Sequence, residues 1–583
     1  MTLGALTLVD NATLTLGTGR ANAINLSSVA GTANNGTSNL TINTTGVVSI
    51  SSTIGTDIGT LTITNSGGTT FSGAVDASTV TLTNTTGAIT FNGALTATTL
   101  NTAAQAYNLA LNATTGTIAN AVTFSNTGTL ALGASGGTLN FTGGLTATAP
   151  STKYLAGTIT ANNTTSVINL GTTAVSVLAN TLLGGTATGT ITLGAATLVD
   201  GATLTLGTGI NNAINLSSVA GTAGGTTSNL TINTTGVVSI SSTIGTDIGT
   251  LTITNSGGTT FSGAVDASTV TLTNTTGAIT FNGALTATTL NTAAQAYNLA
   301  LNATTGTITN AVTFSNTGTL ALGASGGTLI FTGGVIATAP STRTLKGTIA
   351  STDTAMTFGA ITLGAATTLN TNAASNVADL TIAAITGATH NLTLLTGAVD
   401  GAVISGTSVS GVGTLTITNS GGTTFSGAVS AATLAITNTT SGNTVTFSDS
   451  LTLTTGMTVG AGSAAYNVAL NGTTNTIAGA TTFNNTGTVT LGNGSDTLNF
   501  TGGLIATAPS AVTVNGTVTA AGTGLITLGD SDSAVAIGGT STIGGTSTGA
   551  MTLGALTLVD NATLTLGTGR ANAINLSSVA GTA

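Results

Sequence analysis

The chain has 583 residues, of which 3% are charged and 3% aromatic, and its 14 acidic residues, all Asp, give a net charge of −9. Cysteine is absent, which excludes disulfides, thiol catalysis and thiolate metal sites. Nucleic-acid binding lacks physical support, because the chain has no Trp and no cluster of basic residues. The basic residues are Arg20, Lys153, Arg343, Lys346 and Arg570.

Internal repeats divide the chain. Residues 1–33 recur unchanged as residues 551–583, and further copies begin at Ile191 and Ile361. We therefore predict a solenoid module at 1–190, a module at 191–360 that lacks about one coil, a divergent module at 361–550 and the start of a further module at 551–583.

Met1 matches Met551, which lies inside a repeat. We therefore interpret the chain as a window of a longer array, with any export signal or anchor outside it. No apolar run is long enough to predict a membrane span within this window.

A finer period predicts the fold. Similar short runs begin at Leu61, Val80 and Leu100, at a nearly constant spacing along the chain. Within a run such as Leu61–Thr64, apolar and Thr residues alternate, which is typical of a half-buried strand, and Asn and Gly clusters between runs predict corners. The pattern predicts an all-β chain folded as a parallel β-helix, a β-solenoid, of about 20 residues per coil. At about 4.8 Å per coil, roughly 29 coils would make a rod near 140 Å long.

The chain has few residues whose side chains are suited to catalysis. The chain has one His, His390, and no Glu, and no base accompanies its many hydroxyls in a repeated pattern. We therefore expect no catalytic residue and no organic cofactor, and interpret His390 as a loop residue. The repeated Asp residues, such as Asp10 and Asp200, are expected to cap corners.

Calcium is the one ligand that the sequence suggests. Gly492–Leu498 resembles one turn of a calcium-binding nonapeptide repeat, with Asp496 as the ligand, and Asp530 and Asp532 could hold a hard cation. Gly137 and Gly327 stand where Asp496 stands, so no stacked second turn completes the coordination.

Outward Thr pairs, such as Thr62 with Thr64, leave two interpretations open. They could form a flat hydroxyl array that orders water, as in ice-binding solenoids, or they could simply stabilise stacked strands through Thr ladders. Tyr107, Tyr297 and Tyr466 recur in one motif and are expected to cap the core.

Runs such as GTLTITNSGGTTFSGAVDASTVTLTNTTGAITFNGAL resemble the strand repeats of large bacterial surface proteins, including filamentous-haemagglutinin-like adhesins and autotransporter passengers. This resemblance implies a right-handed parallel β-helix at the cell surface or outside the cell, serving adhesion, biofilm matrix or a surface filament.

These observations favour a non-enzymatic function. The leading hypothesis is an extracellular structural or adhesive rod, a repetitive segment of a giant surface protein. Alternatives are a subunit that self-assembles into a filament, sheath or surface layer and, more remotely, a polysaccharide-active β-helix enzyme. The expected partners are neighbouring modules or copies of the chain, together with a receptor that the sequence does not identify.

Overall fold

The computed structural model describes residues 1–33, 36–568 and 571–582, so Arg570 lies outside the described residues. Within these ranges β-strands are the only regular secondary structure apart from turns and bends. The chain forms two compact units, Met1–Asn298 and Leu299–Ala583, which we call unit 1 and unit 2.

The strands up to Thr292 belong to unit 1. They are β1 Thr2–Leu8, β2 Thr13–Leu16, β3 Ile24–Gly31, β4 Ser38–Asn43, β5 Val48–Ile50, β6 Ile54–Gly55, β7 Ile58–Ser66, β8 Thr69–Phe71, β9 Val75–Thr85, β10 Ile89–Phe91, β11 Leu95–Thr102, β12 Leu109–Leu111, β13 Thr115–Ile118, β14 Val122–Thr123, β15 Thr129–Leu132, β16 Thr138–Phe141, β17 Leu145–Thr146, β18 Thr152–Ala161, β19 Ile168–Asn169, β20 Val175–Gly185, β21 Ile191–Leu193, β22 Ala196–Leu198, β23 Thr203–Leu206, β24 Ile214–Leu216, β25 Val219–Gly221, β26 Ser228–Asn233, β27 Val238–Ile240, β28 Ile244–Gly245, β29 Ile248–Ser256, β30 Thr259–Phe261, β31 Val265–Thr275, β32 Ala278–Phe281 and β33 Leu285–Thr292.

The remaining strands begin at Asn298. They are β34 Asn298–Leu301, β35 Thr305–Ile308, β36 Val312–Thr313, β37 Thr319–Leu322, β38 Thr328–Phe331, β39 Val335–Ala337, β40 Thr342–Ser351, β41 Met356–Phe358, β42 Ile361–Ala373, β43 Leu380–Thr386, β44 Leu392–Gly397, β45 Ile404–Ile417, β46 Thr423–Phe425, β47 Val429–Ile436, β48 Thr444–Phe447, β49 Leu451–Val459, β50 Asn467–Leu470, β51 Thr474–Ile477, β52 Thr481–Thr482, β53 Thr488–Phe500, β54 Gly503–Ala506, β55 Ala511–Ala520, β56 Leu525–Leu528, β57 Ala534–Ile537, β58 Ser541–Gly545, β59 Met551–Leu558, β60 Leu564–Leu566 and β61 Ile574–Gly581.

Each unit is a β-solenoid of stacked parallel strands, which confirms the predicted fold class. In unit 1 each turn passes through three sheets in the same order. Sheet 1 contains the pair Thr69 and Ile89, and sheet 2 contains the pair Val75 and Leu95. Sheet 3 pairs Leu61 with Val80. A long strand such as β9 bends at a corner and so serves two neighbouring sheets.

The turns stack about 22 residues apart, so the chain makes about 26 turns, fewer than the sequence predicts. The turn from Leu61 to its partner Val80 is much shorter than the turn from Thr203 to its partner Asn229. The strands keep their register while the corners differ in length, so the longest turn carries residues 222–227 as an extra loop. The short period that is most visible in the sequence therefore describes only the turns with the tightest corners.

One repeat does not close on a whole number of turns. Leu40 and Leu230 occupy equivalent positions in the first and second modules. Leu40 pairs with Leu61 on sheet 3, and Leu230 pairs with Leu251 on sheet 2. Between Leu40 and Leu230 the chain completes eight turns and then two-thirds of the next turn, as the strand pairings show. The same sequence motif is therefore presented on two different sheets of unit 1.

Unit 2 shows the same property. Leu363 pairs with Leu345, while its counterpart Leu553 pairs with Leu528 on a neighbouring sheet of this unit. Leu345 and Leu363 are one turn apart.

The core is the lumen of the turns. The inward side chains of the strands are mostly aliphatic or Phe, and Leu61, Ile63 and Leu82 are fully buried. Phe71 stacks on Phe91 of the next turn with ring centroids 4.6 Å apart. Burial of this continuous apolar column, together with the strand ladders, holds the turns together without disulfides.

Candidate functional site

The acidic side chains mostly brace corners. Asp10 accepts a hydrogen bond of 2.6 Å from the Thr32 hydroxyl, one turn later. Asp200 accepts bonds from the backbone amides of Gly225 at 3.0 Å and Thr226 at 2.8 Å, which fixes the corner loop at residues 222–227. These contacts join successive turns at the corners.

Asp353 stabilises its corner through several hydrogen bonds to the next turn. Its Oδ1 accepts bonds from the amides of Ala374 (2.8 Å), Ser375 (3.2 Å) and Asn376 (2.9 Å), one turn later. Its Oδ2 accepts bonds from the Ser375 hydroxyl and the Asn376 side chain at 2.6 and 2.7 Å. The Ser375 hydroxyl above all, with these amides, holds the pKa of Asp353 well below its usual range.

Asp76 differs from the corner residues. It lies within β9 on an outward position and pairs in register with Thr96. Its equivalent in the second module, Asp266, pairs with Thr286 in the same way. The expectation that repeated Asp residues cap corners therefore does not extend to this position.

The calcium candidates are engaged by backbone amides. Asp496 is buried and accepts a bond of 2.6 Å from the Asn493 amide within its own turn. Asp530 accepts bonds from the amides of Asp532 at 2.9 Å and Ser533 at 3.0 Å. Among the described residues no three acidic or His side chains come together as a metal site. The carboxylates of Asp496 and Asp530 therefore act as turn caps, while Asp532 contributes its backbone amide to one of them.

Two basic side chains lie inside the solenoid. Lys153 is fully buried, and its Nζ donates to the Pro150 carbonyl at 3.2 Å and to the Thr173 hydroxyl. Burial lowers its pKa from the ordinary value of 10.5. Arg343, at the equivalent position, donates to the carbonyls of Ala337, Thr338 and Ala360.

The strands that carry these cations are bulged. The register of β18 shifts between Leu155 and Gly157, and that of β40 shifts between Leu345 and Gly347. In the third module Val512 fills the corresponding position and is fully buried, which indicates that the position itself is apolar.

His390 and the repeated tyrosines lie in different environments. The His390 carbonyl accepts a bond of 3.0 Å from the Gly413 amide, so this residue belongs to a corner. The three tyrosines are buried, and desolvation raises the pKa of each to about 12. The Tyr466 hydroxyl donates to the Gly460 carbonyl at 2.5 Å. Their position fits the expected capping of the core.

Threonines fall into two groups. Some threonines donate to backbone carbonyls of the preceding turn, as Thr83 of β9 does to Ile63 at 3.0 Å. Thr62 and Thr79 instead project outward from their strands and are half-buried by their neighbours.

Outward Thr and Asn side chains form two regular surfaces in unit 1. Array I lies on sheet 3 and places two side chains per strand across β2, β4, β7, β9 and β11, from Thr13 and Thr15 to Thr99 and Asn101. Array II has the same construction across β23, β26, β29, β31 and β33, and ends at Thr289 and Asn291.

An open groove adjoins array II. It has a volume of about 580 Å³ and lies on sheet 2, where Thr158, Leu182 and Thr205 form part of its lining. Gly157 has a φ of 71° at the bulge of β18, which favours glycine there. The lining carries no ionisable side chain, so the groove extends an uncharged surface.

No described residue belongs to a helix long and apolar enough to cross a membrane. Comparison with known proteins adds no relative, because the chain matches no family model, no curated protein and no solved structure. The chemistry of the chain itself must therefore carry any functional assignment.

Proposed function

We propose that the chain is an extracellular structural or adhesive element whose stacked turns hold outward-facing polar surfaces in fixed positions. The use of its ionisable side chains supports this proposal most directly. The corner carboxylates Asp200 and Asp353 bind backbone amides of the next turn, and Lys153 binds a carbonyl and a hydroxyl. Such groups stabilise the solenoid and leave little for catalysis.

Location outside the cell is part of this proposal. It rests on the cysteine-free composition with few charged residues and on the likeness of the strand repeats to those of bacterial surface adhesins. Rigid stacked turns suit a spacer, because each turn is held by its two neighbours and stability grows with the array.

Cells that lack the protein test the proposal. We expect such cells to adhere less to surfaces or to each other than cells of the source strain, and expression of the chain in its native protein should restore adhesion. Unchanged adhesion and cohesion would count against the function.

Self-assembly is a second candidate, because the outward Thr and Asn rows of both arrays carry no charge that would keep copies apart. Sedimentation velocity over a range of concentrations tests it. Growth of ordered polymers would favour a filament or sheath, and a constant monomer would argue against one.

A further inference from the structure

The two arrays of unit 1 are chemically equivalent but lie on different sheets. Thr62 of array I pairs with Thr81 on sheet 3, and the equivalent Thr252 pairs with Thr271 on sheet 2. We infer that the arrays are two separate binding faces for a neutral, hydroxyl-rich polysaccharide surface, so that one chain bridges two such surfaces. This inference rests on the proposed adhesive function and names its partner class.

The arrays are suited to a neutral partner. From Thr13 to Asn101 and from Thr203 to Asn291, the two outward rows contain only Thr and Asn. Hydroxyl and amide groups both donate and accept hydrogen bonds, as sugar hydroxyls do. Ionic partners such as nucleic acid or anionic lipid would find no countercharge on these rows.

The arrays are also rigid. Threonine is β-branched, so its side chain has few rotamers to lose on binding. Successive rows are held in register by the strand ladders, as Thr41, Thr62 and Thr81 are. A regular row of hydroxyls about 4.8 Å apart is therefore formed before any partner arrives.

The size of an array favours an extended solid over a second protein. Five strands, with two outward side chains each, cover on the order of 200–300 Å². A stable protein interface buries about 800 Å² on each partner. One array is therefore too small for a stable dimer, whereas an insoluble polymer offers many copies of its repeat and sustains weak contacts through multivalency.

The placement of the arrays on different sheets determines how many surfaces one chain can bind at the same time. Because one repeat spans eight and two-thirds turns, array II does not continue the face that carries array I. A flat surface bound to sheet 3 leaves sheet 2 available. The two arrays should therefore engage different particles rather than reinforce each other on one.

The test uses the full chain and a suspension of microcrystalline cellulose. One variant, Thr62→Lys with Thr79→Lys, blocks array I, and a second, Thr252→Lys with Thr269→Lys, blocks array II. The matched control, Ser49→Lys with Thr90→Lys, adds the same charge to outward positions of sheet 1. Circular dichroism and thermal melting confirm that each variant is folded.

Two measurements are compared for each protein: depletion from solution by cellulose, and agglutination of the particles. The wild-type chain and the control should do both. Each single-array variant should keep its affinity within about twofold yet lose agglutination, and the variant with both arrays blocked should bind at least about tenfold more weakly.

Three results would overturn the inference: no binding of the wild-type chain to cellulose, agglutination by either single-array variant, or normal binding when both arrays are blocked. Sedimentation of the wild-type chain as dimers or larger species without cellulose would show instead that copies of the chain pair with each other. None of these results bears on whether cells need the protein for adhesion, so the proposed function stands or falls separately.

Discussion

Phe71 and Phe91 stack face to face in consecutive turns, with ring centroids 4.6 Å apart and ring planes inclined by 7°. Both rings are fully buried in the lumen. Replacing Phe91 by Ala removes this stack and leaves a cavity, so Phe91→Ala should lower the free energy of unfolding of unit 1 by about 3–5 kcal/mol. Urea denaturation measures this change.

Two further variants serve as a matched comparison and a control for that prediction. Phe281→Ala should cost about the same, because Phe261 and Phe281 stack with centroids 4.5 Å apart. Thr90→Ala changes the outward neighbour of Phe91 and should stay within about 0.5 kcal/mol. A loss for Thr90→Ala as large as that for Phe91→Ala would contradict the assignment of inward and outward faces.

Lys153→Met should stabilise unit 1 by on the order of 1 kcal/mol, because it removes a buried cation that has no carboxylate partner in the structure. The Pro150 carbonyl keeps the Thr173 hydroxyl, 3.4 Å away, as a donor. Val512 at the corresponding position of the third module shows that an apolar side chain is accepted there. Thermal and urea melts compare the two proteins.

The same lysine predicts a pH dependence. Burial lowers the pKa of Lys153 below 10.5, so the unfolded chain binds the proton more tightly than the folded chain. The free energy of unfolding of the wild-type chain should therefore rise as the pH increases through the interval from the lowered pKa to 10.5. Lys153→Met should lack this rise, and equal slopes for both proteins would refute the assignment.

Gly87 marks a close approach between turns. A Cβ built on Gly87 would lie 2.0 Å from the carbonyl oxygen of Gly67 in the preceding turn. Gly87→Ala should therefore force the turns apart and cost about 1–3 kcal/mol. Gly225→Ala is the control, since its Cβ would meet nothing within 4 Å. Equal melting temperatures of the two variants would argue against this packing.

Asp353→Asn should loosen the corner at residues 374–376, because the carboxylate accepts three backbone amides there. Hydrogen exchange of these amides should become faster in the variant. The pKa of Asp353 is held well below its usual range, so its stabilising contribution persists in mild acid and is lost only as the pH falls through that lowered value. Fast exchange in the wild-type chain near pH 3, about where an ordinary Asp gains its proton, would show that the brace is weak.

Calcium should leave the melting temperature unchanged. Asp496 and Asp530 already accept backbone amides, and a site for calcium takes six to eight oxygen ligands. If a site existed, calcium at 100 times its dissociation constant would stabilise the folded chain by about 2.7 kcal/mol. A rise of that size that disappears with a chelator would restore the calcium hypothesis.

Strand alternation made the fold predictable from sequence. The run from Leu61 to Thr64 already separates the buried Leu61 and Ile63 from the outward Thr62, as the structure has them. The lengths of the corners could not be predicted from the sequence, because corners of different lengths are compatible with the same strand register. Equivalent motifs lie on different sheets because of the combined length of these corners, and this shift follows only from the strand pairings in the structure.

The position of Lys153 in the lumen was not predictable from the sequence. Lys is almost never fully buried unless it is paired, yet Lys153 is fully buried and donates only to a carbonyl and a hydroxyl.

Surface labelling of intact source cells tests the central claim, an extracellular structural or adhesive function, most directly. Antibodies raised against the 583-residue chain should label unpermeabilised cells or their surrounding matrix, and added protease should remove the label. Label that appears only after the cells are permeabilised would contradict the account.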